Sequence, residues 1–438
     1  MELNEIIAND GPCECGKTHD SLLKKAVICE NAIEQIPSLV KEEGAKSVFM
    51  LADLNTYACA GEKVENVLAN AGISVKKYVF PTADVIEPDE KAVGSAIMYY
   101  SDCDMVVGVG SGVINDIGKI VSAVANKTYM IVGTAPSMDG YASATSSMAR
   151  DGLKVSLPSK CPDIVVGDLD VLCNAPMDMI RAGVGDMLAK YVSICEWRIA
   201  TILCGEYYCE KIAQLVRSAL KRCVDNAGGL LKGDDEAIAA VFEGLIISGS
   251  AMEYAGVSRP ASGGEHYISH VWDMRGLSFG SAVDLHGIQC AIGTRYTVKA
   301  YEQIKALTPD VKAARAYAEG FDLDAWNATL REFIGGGAEA MIALEKKEGK
   351  YDVAKHAERI ERIAASWDEL LRIIDEELPS LKEIDRILDL IDAPKTVSEI
   401  GIDEGIVPLT FKASKDIRDK YVLPRLAWDL GVIDSIKF

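Results

Sequence analysis

The first third of this chain repeats one motif, a short apolar run followed by a helix-like stretch, and few architectures accept that pattern. SVFMLAD (47–53) leads into TYACAGEKVENVLANAG, and VKKYVF (75–80) into PDEKAVGSAIMYYSD. DMVVGVGSG leads into INDIGKIVSAVANK, and YMIVGTAP follows as another run. Continuous Val/Ile/Leu-rich runs of this length predict strands buried on both faces, and strand–helix alternation predicts a parallel sheet covered by helices. YASATSSMARDG, LKVSLPS and DIVVGDLDVL then read as a hairpin and a last strand.

From about residue 174 the texture changes. Apolar residues recur at three- and four-residue spacing in DMIRAGVGDMLAKYVSICEWRIA, EYYCEKIAQLVRSALKRCV, DEAIAAVFEGLIISGSAMEYA and DELLRIIDEELPSLKEIDRILDLI. That spacing marks amphipathic helices. The expected organisation is an α/β dinucleotide-binding domain with a parallel sheet over 1–173, then an all-helical metal- and substrate-binding domain over 174–438. A cleft between two such domains is a common place for ligands.

Histidine is scarce, five in 438 residues, yet three lie within GGEHYISHVWDMRGLSFGSAVDLHG as His266, His270 and His286. His266 and His270 are four apart and share a helix face, with Gly263 and Gly264 breaking the chain before them. One His of this pair, His286 and the upstream Asp186 make a three-ligand set that leaves a metal position open to substrate. A divalent ion there lowers the pKa of a substrate hydroxyl. His270, not needed as a ligand, is a candidate for substrate contact or proton relay.

GVGSGVIND offers Gly108, Gly110 and Gly112 ahead of a helix expected to begin near Val113. Small residues let the backbone approach a pyrophosphate, and helix N–H groups face its charge. A standard G-x-G-x-x-G after the first strand is absent, and the same turn also reads as purely structural. Asp53, closing the first strand, suits a ribose hydroxyl or a helix cap equally well. VGTAPSMDGYASATSSM is dense in small and hydroxyl residues. Either it wraps a nicotinamide with Thr134, Ser137 and Ser143 and aims Asp139 into the cleft, or it is a polar turn.

Composition excludes several classes. The net charge of -20 argues against nucleic acid, whose phosphates select basic surfaces. No signal-peptide pattern stands at the N-terminus, and no run reaches the eighteen apolar residues of a membrane span. Twelve scattered cysteines suggest reduced thiols and a cytoplasmic protein. Cys13-x-Cys15 with His19 can bind a metal, but a lone CxC lacks a second ligand pair and reads first as a loop.

In combination, GSGVINDIGK, GTAPSMDGYAS, and GGEHYISH with DLHG resemble the family of glycerol dehydrogenase, iron-dependent alcohol dehydrogenases and dehydroquinate synthase, over roughly residues 10–300. Within it the sn-glycerol-1-phosphate dehydrogenase branch is most similar. The resemblance implies NAD or NADP contacts at Asp53, at Gly110, Ser111, Gly112, Val113, Ile114 and Asp116, and at Thr134, Ser137 and Ser143. It implies Asp139 and His270 at the substrate and Asp186, His266 and His286 as ligands of one divalent metal, zinc or nickel ahead of iron. It also implies a homo-oligomer that reduces dihydroxyacetone phosphate, a small phosphorylated triose, to glycerol 1-phosphate. The neighbouring expectation is a polyol dehydrogenase with an unphosphorylated substrate. Where iron-dependent relatives carry a fourth ligand, a His, this chain has Lys190. Lys154, Arg259 and Arg275 are the cations near the motifs that could meet a phosphate. The acidic, helical last hundred residues match no motif and are expected to cap the domain or form an interface.

Overall fold

The computed structural model describes residues 11–150 and 153–438, with side chains after that break from 155 onward. Six strands form one parallel sheet in the order β3-β10-β7-β6-β4-β5. They are β3 (Lys25–Cys29), β4 (Ser47–Asp53), β5 (Ser74–Phe80), β6 (Met105–Gly110), β7 (Thr128–Gly133) and β10 (Ile164–Asp168). A small β1–β2 hairpin (Gly11–Pro12, Thr18–His19) precedes them, and an antiparallel β8–β9 hairpin (Thr145–Arg150, Leu153–Pro158) is inserted before β10.

The strands are buried because helices cover both faces. On one face Val48, Met50, Ala52, Val107, Val109, Val132 and Val166 pack with Ile36, Leu39, Val64 and Leu68 of helices α1 (Ile36–Glu42) and α2 (Glu62–Asn70). Helix α3 is Glu90–Tyr99. On the other face, α4 (Gly112–Ala125) comes so close that a methyl on Gly118 would lie 2.2 Å from the Tyr129 hydroxyl. The chain steps outward from β4 to β5 and then, from β6, in the opposite direction through β7 to β10. The carboxyl ends of β4 and β6 are therefore the topological switch point, where open parallel sheets take their ligands.

Beyond Asp168 every regular element among the described residues is helical. The longest are α5 (Met177–Cys204), α6 (Glu210–Asn226), α7 (Asp235–Ala255), α8 (Gly264–Phe279) and α9 (His286–Lys305). The expected last helical stretch is two helices, Trp367–Glu377 and Leu381–Leu390, because Pro379 cannot supply the N–H a continuing turn needs. Helix α7 is long and apolar enough to cross a membrane, but 78% of that stretch is buried inside the fold. Its Phe242 packs on β7 and β10 where Gly133 and Gly167 leave room.

Compactness divides the chain differently from helical texture. One unit holds residues up to Met187 together with Lys211–Ser258, and the other holds Leu188–Glu210 together with Arg259–Phe438. A single boundary at 173/174 separates sheet from helix; it does not separate these units, because α6 and α7 belong with the sheet. In the second unit the late helices pack on α8: Val271 shares an apolar cluster with Leu330, Phe333, Ile334, Met341 and Ala413. The last hundred residues are thus part of that unit's core.

Candidate active site

In the sheet-containing unit, the residues expected at a nucleotide lie at the switch point. Asp53 ends β4 and Gly110 ends β6, two residues beyond the Leu51–Gly108 pair. Asp53 forms a capping box: Oδ1 accepts from the Thr56 amide at 2.8 Å, and its own amide donates to Thr56 Oγ1 at 2.9 Å. It is a helix cap, with Oδ2 left outside that box.

Helix α4 begins one residue earlier than expected, with Ser111 at its N-cap making no side-chain cap bond. The amides of Gly112, Val113 and Ile114 form its first turn. A methyl on Gly110 would stand 2.6 Å from Ile114 Cβ, so the strand meets the helix there only through glycine.

Asp116 lies in the second turn of α4. Its carboxylate accepts from the Ser147 amide at 3.1 Å and from Lys119 Nζ at 3.4 Å, tying α4 to β8. Lys119 is fully buried and was not singled out by sequence reasoning, although it ends GSGVINDIGK. Its ammonium donates to the Gly140 carbonyl (2.5 Å), Ser143 Oγ (3.0 Å) and the Thr145 carbonyl (3.1 Å). This one cation fastens the DGYAS turn to α4, and Ser143 is spent on that fastening. Thr134 and Ser137 follow β7 and are buried.

The same loop packs against two helices through glycine. A methyl on Gly183 of α5 would fall 1.9 Å from the Pro136 carbonyl oxygen, and one on Gly249 of α7 would fall 2.8 Å from that of Asp139. This approach lets the Asp139 amide donate to Asp186 Oδ2 at 2.9 Å, while Asp139 Oδ2 accepts from Ser248 at 2.9 Å. Asp139 and Asp186, forty-seven residues apart, are directly bonded.

In the helical unit the three clustered histidines do come together. Ring centroids are 5.0 Å apart for His266 and His286, 6.5 Å for His266 and His270, and 6.0 Å for His270 and His286, the last pair stacked. His266 Nδ1 lies 2.8 Å from Glu265 Oε1, a pairing that directs Nε2 outward as an electron-pair donor. His286 opens α9, with Ser269 Oγ 3.3 Å from its Nδ1. Cys290, one turn on, puts its thiol 3.5 Å from His286 Nε2. His266, His286 and Cys290 each offer a donor atom within 4.8 Å of the others. The i,i+4 spacing in HGIQC was the available signal for this cysteine.

His270 is neutral: burial, outweighing the pull of the Asp273 carboxylate 3.9 Å away, pushes its pKa down to about 3. Asp273, the other unforeseen neighbour, accepts from Gln289 Nε2 at 2.8 Å. Lys190 is wholly buried and donates to the Ala261 carbonyl at 3.1 Å, so its ammonium serves the backbone.

Two of the three cations considered for a phosphate, Arg259 and Arg275, are occupied. Arg259 grips Glu206 through Nε (2.7 Å) and Nη2 (2.5 Å) and the Tyr421 carbonyl through Nη1. Arg275 donates to the Phe333 carbonyl and lies over the Phe333 ring. Lys154 is on β9, and its side chain lies outside the described residues. Arg418 was missed, in a segment without motifs. It is half-buried, its charge bears on His270 and Tyr267, and among the described residues its guanidinium has no hydrogen bond or ion pair.

Comparison with known proteins accords with these features. Residues 27–176 match the family model described as iron-containing alcohol dehydrogenase. A glycerol-1-phosphate dehydrogenase [NAD(P)+] of Bacillus velezensis is 32% identical over 349 residues, covering 76% of this chain and 88% of that protein. One from Halalkalibacterium halodurans is 29% identical over 415 residues, covering 94% of each. The crystal structure of glycerol dehydrogenase from Schizosaccharomyces pombe shares the fold, with a TM-score of 0.61 at 18% identity, over 94% of this chain and 89% of that one.

Proposed function

The chain belongs to the glycerol-1-phosphate dehydrogenase family, and on that premise we propose that it interconverts dihydroxyacetone phosphate and sn-glycerol 1-phosphate with NAD or NADP and one divalent metal. The observation that carries this reading is the pair of adjacent imidazoles, His266 and His286, beside a neutral His270 and an uncommitted arginine. The donors of the helical unit fit a metal: His266 is oriented by a carboxylate through its far nitrogen, and His286 lies beside it. Asp186 is the carboxylate ligand that the family resemblance implies. Two imidazoles and one carboxylate accept zinc, nickel or iron. When bound, the metal supplies a Lewis acid toward the substrate's C–O group and the nicotinamide supplies hydride exchange.

The chain's own residues do the rest. The Asp139 amide, donating to Asp186, holds that carboxylate in one orientation. His270, uncharged across the neutral range, can donate or accept a proton at a substrate oxygen without adding charge beside the ligands. The amides of Gly112, Val113 and Ile114 receive the pyrophosphate, and Asp53 Oδ2 the ribose. Lys119 keeps the Thr134–Ser143 loop against α4, where it walls the nicotinamide end. Arg418 recognises the substrate phosphate, a dianion that a planar guanidinium meets with paired hydrogen bonds.

The test is the initial rate of NADH or NADPH oxidation with dihydroxyacetone phosphate and with dihydroxyacetone, before and after chelation. A chelator-sensitive rate favouring the phosphate is expected. Arg418→Ala should raise KM for the phosphate by roughly 10- to 100-fold, the worth of a charge-assisted pair, and leave dihydroxyacetone turnover unchanged. A preference for dihydroxyacetone overturns the phosphorylated substrate, and no rate with either overturns the reaction.

A further inference from the structure

Far along the chain from the histidine cluster, the N-terminal hairpin carries a second set of soft ligands. Between β1 and β2 the segment Cys13–Lys17 forms a tight turn. The Cys13 amide donates to the Lys17 carbonyl and the Gly16 amide to the Cys13 carbonyl, both at 2.9 Å. Gly16 has φ +85°, a left-handed conformation natural to glycine. The turn brings Cys13 and Cys15 to the same place as His19, which is 2% exposed. The two sulfurs and a His19 ring nitrogen lie within 4.8 Å of one another.

The imidazole is held in the tautomer that ligation needs. His19 Nδ1 lies 3.1 Å from the Tyr254 carbonyl oxygen at the end of α7. A carbonyl only accepts, so Nδ1 carries the hydrogen and Nε2 carries the electron pair. Nε2 faces Cys15 Sγ at 3.3 Å. A tetrahedral ion with bonds of about 2.3 Å to sulfur and about 2.0 Å to nitrogen puts S and N about 3.5 Å apart. The backbone carbonyl behind the ring is the usual partner of a ligating histidine. A thiol–imidazole hydrogen bond needs one sulfur; this set holds two.

We propose that Cys13, Cys15 and His19 hold a zinc-like divalent ion, separate from the metal of the histidine cluster. Two thiolates and one imidazole are the soft donor set that such an ion selects, and none of the three is among the residues placed at substrate or nucleotide. Binding releases the thiol protons as the sulfurs become thiolates. The ion staples the N-terminal hairpin in place, adding to the His19–Tyr254 hydrogen bond.

Cobalt(II) serves as the probe. Metal-free full-length protein is titrated with Co(II), reading the near-ultraviolet thiolate-to-cobalt charge-transfer band and bound cobalt per chain. The wild type should show the band, His286→Ala should retain it, and Cys13→Ser with Cys15→Ser should lose both the band and one equivalent of cobalt. Absence of the band from the wild type overturns the proposal without any variant having to fold. So does its survival in the double cysteine variant, or its loss in His286→Ala, which would move the thiolate signal to Cys290.

Discussion

At the scale of single residues, position in the fold sorts side chains that look equivalent in sequence. Asp116 and Asp186 both stand in motifs, yet Asp116 is committed to Ser147 and Lys119, whereas Asp186 accepts the amide of a second motif residue, Asp139. Arg259 and Arg418 are both cations of the helical unit, but only Arg259 is neutralised, by Glu206. His286→Ala removes one imidazole of the pair and should abolish metal-dependent turnover. Its nucleotide affinity, measured by fluorescence titration with NADH, should stay within about twofold, because the proposed pyrophosphate turn belongs to another unit. Undiminished turnover in His286→Ala would refute its place among the ligands.

Among elements, contact between the Thr134–Ser143 loop and helices α5 and α7 depends on missing side chains. Gly183→Ala would put a methyl 1.9 Å from the Pro136 carbonyl oxygen, a distance no rotamer change relieves because the obstacle is backbone. Helix and loop must separate, and overpacking of this kind costs roughly 1–3 kcal/mol. The expected result is a lower Tm together with a loss of kcat larger than any loss of metal, since the Asp139–Asp186 bond spans the widened seam. Gly94→Ala on α3, where a methyl would meet nothing within 4 Å, is the control and should leave both unchanged. Equal behaviour of the two variants would show that the seam is not tightly packed.

For the molecule as a whole, buried carboxyls set how stability responds to pH. Burial and the charge of Asp416 push Glu345 up to about 7, against the opposing pull of Arg425 and Lys350. Its folded pKa lies above the unfolded value near 4.5, so the native state holds its proton more tightly. The associated stability is complete below about pH 4.5 and lost as pH rises to about 7. Glu196, which burial and nearby Glu265 raise to about 8, adds to the same trend. Denaturation in urea between pH 5 and 8 should show stability falling as pH rises. Glu345→Gln should reduce that fall by roughly 1–3 kcal/mol. An unchanged slope in Glu345→Gln would mean that Glu345 is ionised throughout.

Sequence alone determined the elements whose signal is local. The β4, β5, β6 and β7 runs, the β8–β9 hairpin, helix α7 and the parallel sheet were all legible, because burial on both faces writes continuous apolar runs and helix packing writes a 3.6-residue period. The histidine cluster was legible because a rare residue repeats at ligand spacing. Strand β3, KAVIC, was not read from the sequence. Tertiary structure alone decided which distant residues meet. It joined Asp139 to Asp186, grouped Cys13 and Cys15 with His19, set Arg418 near His270, and placed α6 and α7 in the unit that holds the sheet. Those outcomes depend on how helices pack, and a periodicity records which face of a helix is apolar without naming the surface it covers.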